Sequence, residues 1–111
     1  MEQTILLAQT TYPTPVSVTV GMSPYTVQLT DKLLHVDTSS GPVTINLPNG
    51  TGRFPTDIAI KDITGNASTN PITVTPVGGE TVDGLSPYLM DGAFSYVNFR
   101  PKSGGGYAVQ N

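Results

Sequence analysis

Histidine occurs once, at His35, and Asp37 lies two residues further on. In an extended strand both would point to the same face. A catalytic triad or a metal centre needs more partners than one His and one Asp. His35 therefore reads as an outward strand histidine. The acidic residues are Glu2, Asp31, Asp37, Asp57, Asp62, Glu80, Asp83 and Asp91. Glycoside hydrolysis uses two carboxyl groups about 5–10 Å apart across a cleft, and Asp62 with Asp83 is the pairing the sequence offers. Most of these residues adjoin Gly, Lys or Thr in turn-like stretches, where Asp bonds nearby backbone. Turn duty is the reading adopted. Asp62 to Asn66 carries only a fragment of a calcium loop. Gly104 to Gly106 is followed by neither a helix nor a Lys-Ser/Thr pair, so it is no phosphate loop. Asn49-Gly50-Thr51 and Asn66-Ala67-Ser68 match the glycosylation triplet but read as turns. With no nucleophile–base pair, metal set or cofactor loop, the chain is expected to be no enzyme and to carry no cofactor.

The tyrosines are the other candidates. Tyr12, Tyr25, Tyr88, Tyr96 and Tyr107 could stack on sugars or pack a core. Alternation assigns Tyr25 and Tyr107 to the core. Tyr88 and Tyr96 are the candidates for an exposed sugar-binding patch, against the alternative of ordinary strand packing.

The elements that must position these groups are short strands. Ile58 and Ile60 alternate with Ala59 and Lys61, and Ile72 and Val74 with Thr73 and Thr75. Period-two alternation predicts two half-buried strands. The Gly65–Pro71 stretch between them supplies turn chemistry, so the pair is expected to form a central hairpin. The same pattern marks Val16–Val20, Tyr25–Leu29, Leu34–Val36 and Val43–Leu47. It recurs at Tyr88–Met90, Phe94–Phe99 and Tyr107–Val109. Pro48 to Pro55 is too rich in Gly and Pro for regular structure. Eight or nine short strands at this spacing predict an antiparallel β-sandwich, jelly-roll-like, with no helix of any length.

The 111 residues fit one domain. Residues 1–15 are expected to form an extended arm and 16–111 the sandwich. Tyr12-Pro13-Thr14-Pro15 forbids helix there. The arm is either a frayed terminus or a strand that docks on a neighbour, and apolar Ile5, Leu6 and Leu7 favour docking. Charged residues are only 12% and the net charge is -3. There is no basic stripe for nucleic acid and no run near the ~18 apolar residues of a membrane helix. Met1-Glu2-Gln3 lacks the basic start of a signal peptide. The absence of cysteine excludes disulfides and thiolate metal sites.

Tyr25-Thr26-Val27, Leu34-His35-Val36-Asp37, Val43-Thr44-Ile45-Asn46-Leu47-Pro48, Ile60-Lys61-Asp62, Gly65-Asn66-Ala67, Asn70-Pro71-Ile72-Thr73-Val74 and Gly79 to Gly84 together resemble a β-module of tailed-phage structural proteins. The resemblance covers Tyr25 to Asn111, with Tyr107 where the family often has Trp. It runs closest to the capsid decoration and staple proteins of epsilon-fifteen-like podoviruses. It implies a jelly-roll on the outer capsid surface of the virion, bridging major capsid proteins as a homodimer. Ile5, Leu6, Leu7 and Tyr12 of the arm, with Arg53 and Phe54 of the loop, are the expected protein contacts. Arg and aromatic residues are enriched at hot spots; for Phe54 the alternative is a core plug. The other function on the same fold is a carbohydrate- or receptor-binding module of a tail fibre.

Overall fold

A computed structural model of the chain describes residues 13–110. Ile5, Leu6, Leu7 and Tyr12 of the expected arm lie outside the described residues. Pro13 to Pro15 are irregular and lead into β1.

The strands are β1 (Val16–Val18), β2 (Tyr25–Thr26), β3 (Leu33–Val36), β4 (Val43–Leu47), β5 (Ile58–Asp62), β6 (Ile72–Pro76), β7 (Tyr88–Met90), β8 (Tyr96–Pro101) and β9 (Tyr107–Gln110). A 3-10 turn, Val20–Met22, separates β1 from β2, and one helical turn, α1 (Gly50–Arg53), separates β4 from β5. One sheet runs β1-β3-β5-β8-β9 and the other β2-β4-β6-β7. Through β6 the chain therefore changes sheet at every step, winding as a flattened coil. Within each sheet the neighbours β1–β3, β3–β5, β2–β4 and β4–β6 are parallel. β7, β8 and β9 then pair antiparallel, with β7 and β9 as the edges of that end.

The chain is an all-β sandwich, as the alternation predicts. The strand directions differ: the sheets are mixed and coil-wound, not antiparallel and jelly-roll-like. The expected hairpin does not form, because β5 and β6 lie in different sheets. Alternation reports which face a residue buries but carries no information on strand direction. Direction is set by the connections, which here are long enough to cross from one sheet to the other.

The inward faces match the pattern. Leu34, Ile58, Ile60, Val43, Ile45, Leu47, Ile72 and Val74 are fully buried between the sheets. Each such side chain contributes about 1.5–3 kcal/mol relative to exposure. Tyr107 is buried and donates its hydroxyl to the Pro48 carbonyl at 2.6 Å. Tyr25 packs against the core edge and donates to Asp31 at 2.6 Å. Two strands are shorter than expected. β2 ends at Thr26, leaving Leu29 exposed, because Asp31 accepts from the Gln28 N–H and turns the chain there. β8 begins at Tyr96, because Phe94 adopts a left-handed φ of 58°.

Two buried charges fix the ends of β5. Before it, Arg53 is only 2% exposed, and its five N–H groups all donate to carbonyls. Those carbonyls belong to Gln28, Leu29, Asp31, Thr56 and Asp57. The guanidinium thus ties the β2–β3 connection to the entrance of β5. Arg53 is therefore not the surface contact expected of it: α1 turns it inward, where the carbonyls of the β2–β3 bend need donors.

At the other end, Asp62 is fully buried and accepts only. Its donors are the Thr38 hydroxyl at 2.8 Å and the N–H groups of Gly65, Ala67 and Phe94 at 3.1, 3.0 and 3.0 Å. Burial raises its carboxyl, but these donors together outweigh that and hold it below the usual carboxylate range. Gly65 is required here: its φ is +83°, and an added Cβ would lie 2.3 Å from the Phe94 ring.

The closing end has a third polar tie. Glu80 Oε1 accepts from both Gly50 N and Gly106 N at 2.9 Å. The two glycines approach so closely that a Cβ on Gly50 would lie 2.4 Å from the Gly106 oxygen.

Candidate binding surface

The outer faces of the two sheets are chemically unlike. On the β2-β4-β6-β7 sheet, register aligns Thr26, Asn46 and Thr75 in one row and Thr44, Thr73 and Leu89 in the next. That face bears hydroxyls and an amide but no charge. On the other sheet, Ser17, His35, Lys61 and Tyr96 form one row. Leu33, Ala59, Asn98 and Gln110 form the next. Tyr96 and Asn98 stand one pleat apart on β8, about 7 Å along the strand.

Around this second row lies a groove of about 520 Å³, within the usual range of ligand sites. Leu33, Ala59 and Asn98 form its floor. Tyr96, Lys32 and Thr56 stand around it, with Pro13 and Pro55 as apolar walls. Asp57 completes it and is held from two sides. Arg100 Nε and Nη2 donate to its two oxygens at 3.1 and 3.0 Å, and Asn98 Nδ2 donates at 2.9 Å. The Arg100 hydrogen bond, with help from Asn98, holds the Asp57 carboxyl below its usual range against partial desolvation.

The buried charges place the walls. Arg53 grips the carbonyls of Thr56 and Asp57 on one side. Asp62 grips the Phe94 N–H two residues before Tyr96 on the other. Lys61 adds to the second grip, donating to the Phe94 carbonyl with its ammonium 5.8 Å from that ring's centroid.

The sequence candidates separate accordingly. Tyr96 is 53% exposed at the groove. Tyr88 is turned to the interior, edge-on to Phe99 with centroids 5.5 Å apart. The two do not form one patch, because they belong to different sheets and only one faces outward. Phe54 is half exposed beside Pro55 and is no core plug. His35 and Asp37 gather no further ligands, and among the described residues no group of three or more His, Cys, Asp or Glu could hold a metal. Asp37 is instead a half-buried turn carboxylate that accepts from the hydroxyl and N–H of Ser39, which hold its carboxyl below the usual range. Asp62 is committed to its donors, and Asp83 accepts from Val109 N. Neither is poised as a glycosidase acid. Among the described residues, no helix is long and apolar enough to cross a membrane. Sequence reasoning missed Asp57, Asn98 and Lys32, whose only signal is a register that unites β3, β5 and β8.

The chain is thus a small β-module with one uncharged outer face and one that carries charged and aromatic groups. The profile of the family "Bacteriophage T4 gp9/10-like protein, N-terminal" matches residues 7–107. The chain belongs to that family, a family of phage structural proteins. No curated protein matches the sequence.

Proposed function

We propose that the chain is a connecting module of the phage tail, docking onto another virion protein through the open end of its coil. The observation that carries this is the asymmetry of the two ends. At one end the edge strands, β7 and β9, pair antiparallel with their neighbours. Among the described residues, the edge strands at the other end, β1 and β2, pair parallel with their neighbours. Val16, Val20 and Tyr25 there are only partly buried. An uncapped apolar edge in a stacked β-structure is a surface for further pairing. The family is of tail-fibre and baseplate type, which supports a tail position.

Decoration of the outer capsid, with the module bridging major capsid proteins as a homodimer, is the second reading. Half-exposed Phe54 is the contact residue that supports it. Immunogold labelling of virions separates the two: label on tails is expected, and label confined to capsids would replace the first reading by the second. Docking itself is tested with Val16→Lys, whose stem can still pack while its ammonium sits at the edge. Co-sedimentation with particles lacking the chain should fall at least about tenfold, and undiminished binding would refute the open-end contact.

A further inference from the structure

We propose that the groove on the outer face of β3, β5 and β8 is a carbohydrate-binding site. Tyr96 is its ring platform, Asp57 and Asn98 are its hydroxyl partners, and Lys32 and Thr56 stand at its rim. The inference does not depend on where in the virion the chain sits, because the groove lies on a sheet face and the docking edge at the end of the coil.

Three observations select the ligand class. The first is the pairing of an exposed aromatic face with a fixed polar pair. Tyr96 is more than half exposed, at 53%. Asp57 is gripped by Arg100 through both oxygens and by Asn98 through one. Asn98 commits its Nδ2 to Asp57, which leaves Oδ1 as the acceptor for a ligand hydroxyl. A sugar ring presents an apolar C–H face to an aromatic ring and vicinal hydroxyls at its rim, the complement of this arrangement.

The second observation is the floor. Leu33, Ala59 and Asn98 lie in strands whose backbone is paired on both sides, β3 between β1 and β5, β5 between β3 and β8, and β8 between β5 and β9. An extended peptide finds no free ladder there. The third is charge. Arg100 already neutralises Asp57, which leaves Lys32, among the described residues, as the one unpaired charge of the lining, too few cations to draw in a polyanion. A neutral polyol fits all three. The Thr56–Asp57 side and the approach to Tyr96 are both tied to buried charges, so these parts of the site are preformed.

The test uses the full chain and four probes: the methyl glycosides of glucose, galactose, mannose and N-acetylglucosamine. Ligand-observed saturation-transfer NMR should give a saturable signal for at least one, with a dissociation constant on the order of millimolar, as suits one small ring. Tyr96→Ala should weaken it about tenfold or more, while Tyr96→Phe keeps it within about threefold. Asn98→Ala should weaken it as well, with unfolding curves confirming that each variant is folded. Leu89→Ser, on the outer face of the other sheet, should bind the glycoside as wild type does. No saturable signal from any probe would overturn the proposal, as would a signal that survives Tyr96→Ala. A synthetic peptide of residues 1–12 that shifts the Tyr96 resonances where no glycoside does would also overturn it, making the chain's own start the occupant.

Discussion

Arg53 and Asp62 do the same job with opposite polarity. Each is a buried charge at one end of β5, and each gathers backbone groups from segments far apart in sequence. Arg53 donates to five carbonyls and Asp62 accepts from one hydroxyl and three N–H groups. The difference is in what each leaves behind if removed. A carbonyl has two lone pairs and is often found under-satisfied, whereas an orphaned buried N–H is rare. The anion-centred end should therefore tolerate loss less well than the cation-centred end.

The largest effect is expected from Asp62→Ala. It strands the N–H groups of Gly65, Ala67 and Phe94 and should cost about 3–5 kcal/mol in urea unfolding. Arg53→Met keeps much of the volume and frees carbonyls, so about 2–3 kcal/mol is expected. Equal losses would break the asymmetry, and a larger loss for Arg53→Met would reverse it. Gly65→Ala tests the Asp62 corner without touching its charge. The positive φ and the overlying Phe94 ring should together cost about 1–3 kcal/mol. Phe94→Ala in the same chain should recover the steric share and leave the φ share.

The pH dependence sharpens the contrast most gently. The folded carboxyl of Asp62 lies below its unfolded value. Its stabilisation is complete above the unfolded value, near pH 4, and is lost as pH falls through the folded one. Asp57, lowered chiefly by Arg100, contributes with the same sign. Unfolding between pH 7 and pH 3 should show a steeper acid loss for wild type than for Asp62→Asn. Arg53→Lys stays charged throughout that range and should leave the slope unchanged. A slope unaffected by Asp62→Asn would remove that residue from the acid response.

What the sequence made legible follows from the range of each signal. Inward residues such as Ile58, Ile60, Ile72 and Val74 were readable because alternation is local. The turn role of Asp62 was readable because two of its donors, Gly65 and Ala67, lie within five residues. Arg53 reads as a surface residue in the sequence because its carbonyls at Gln28, Leu29 and Asp31 leave no pattern near it. The parallel pairing was hidden for the same reason: a strand's partner in a coil lies one full circuit away. The groove inherits both difficulties, since Asp57, Asn98 and Lys32 meet only once the register is known. Tyr96 alone was visible, as an aromatic on the polar side of its strand.

The coil has a kinetic corollary. A hairpin can zip from its turn, but a wound strand must wait for the chain to travel round and return. β8 and β9, joined by the tight Lys102–Gly106 turn, are one of two pairs of consecutive strands that need no such circuit. They, and β6 with β7 after them, are the natural places for assembly to begin. Maturation of the module should then be slow for its size, with the open rim at β1 and β2 the last part to settle.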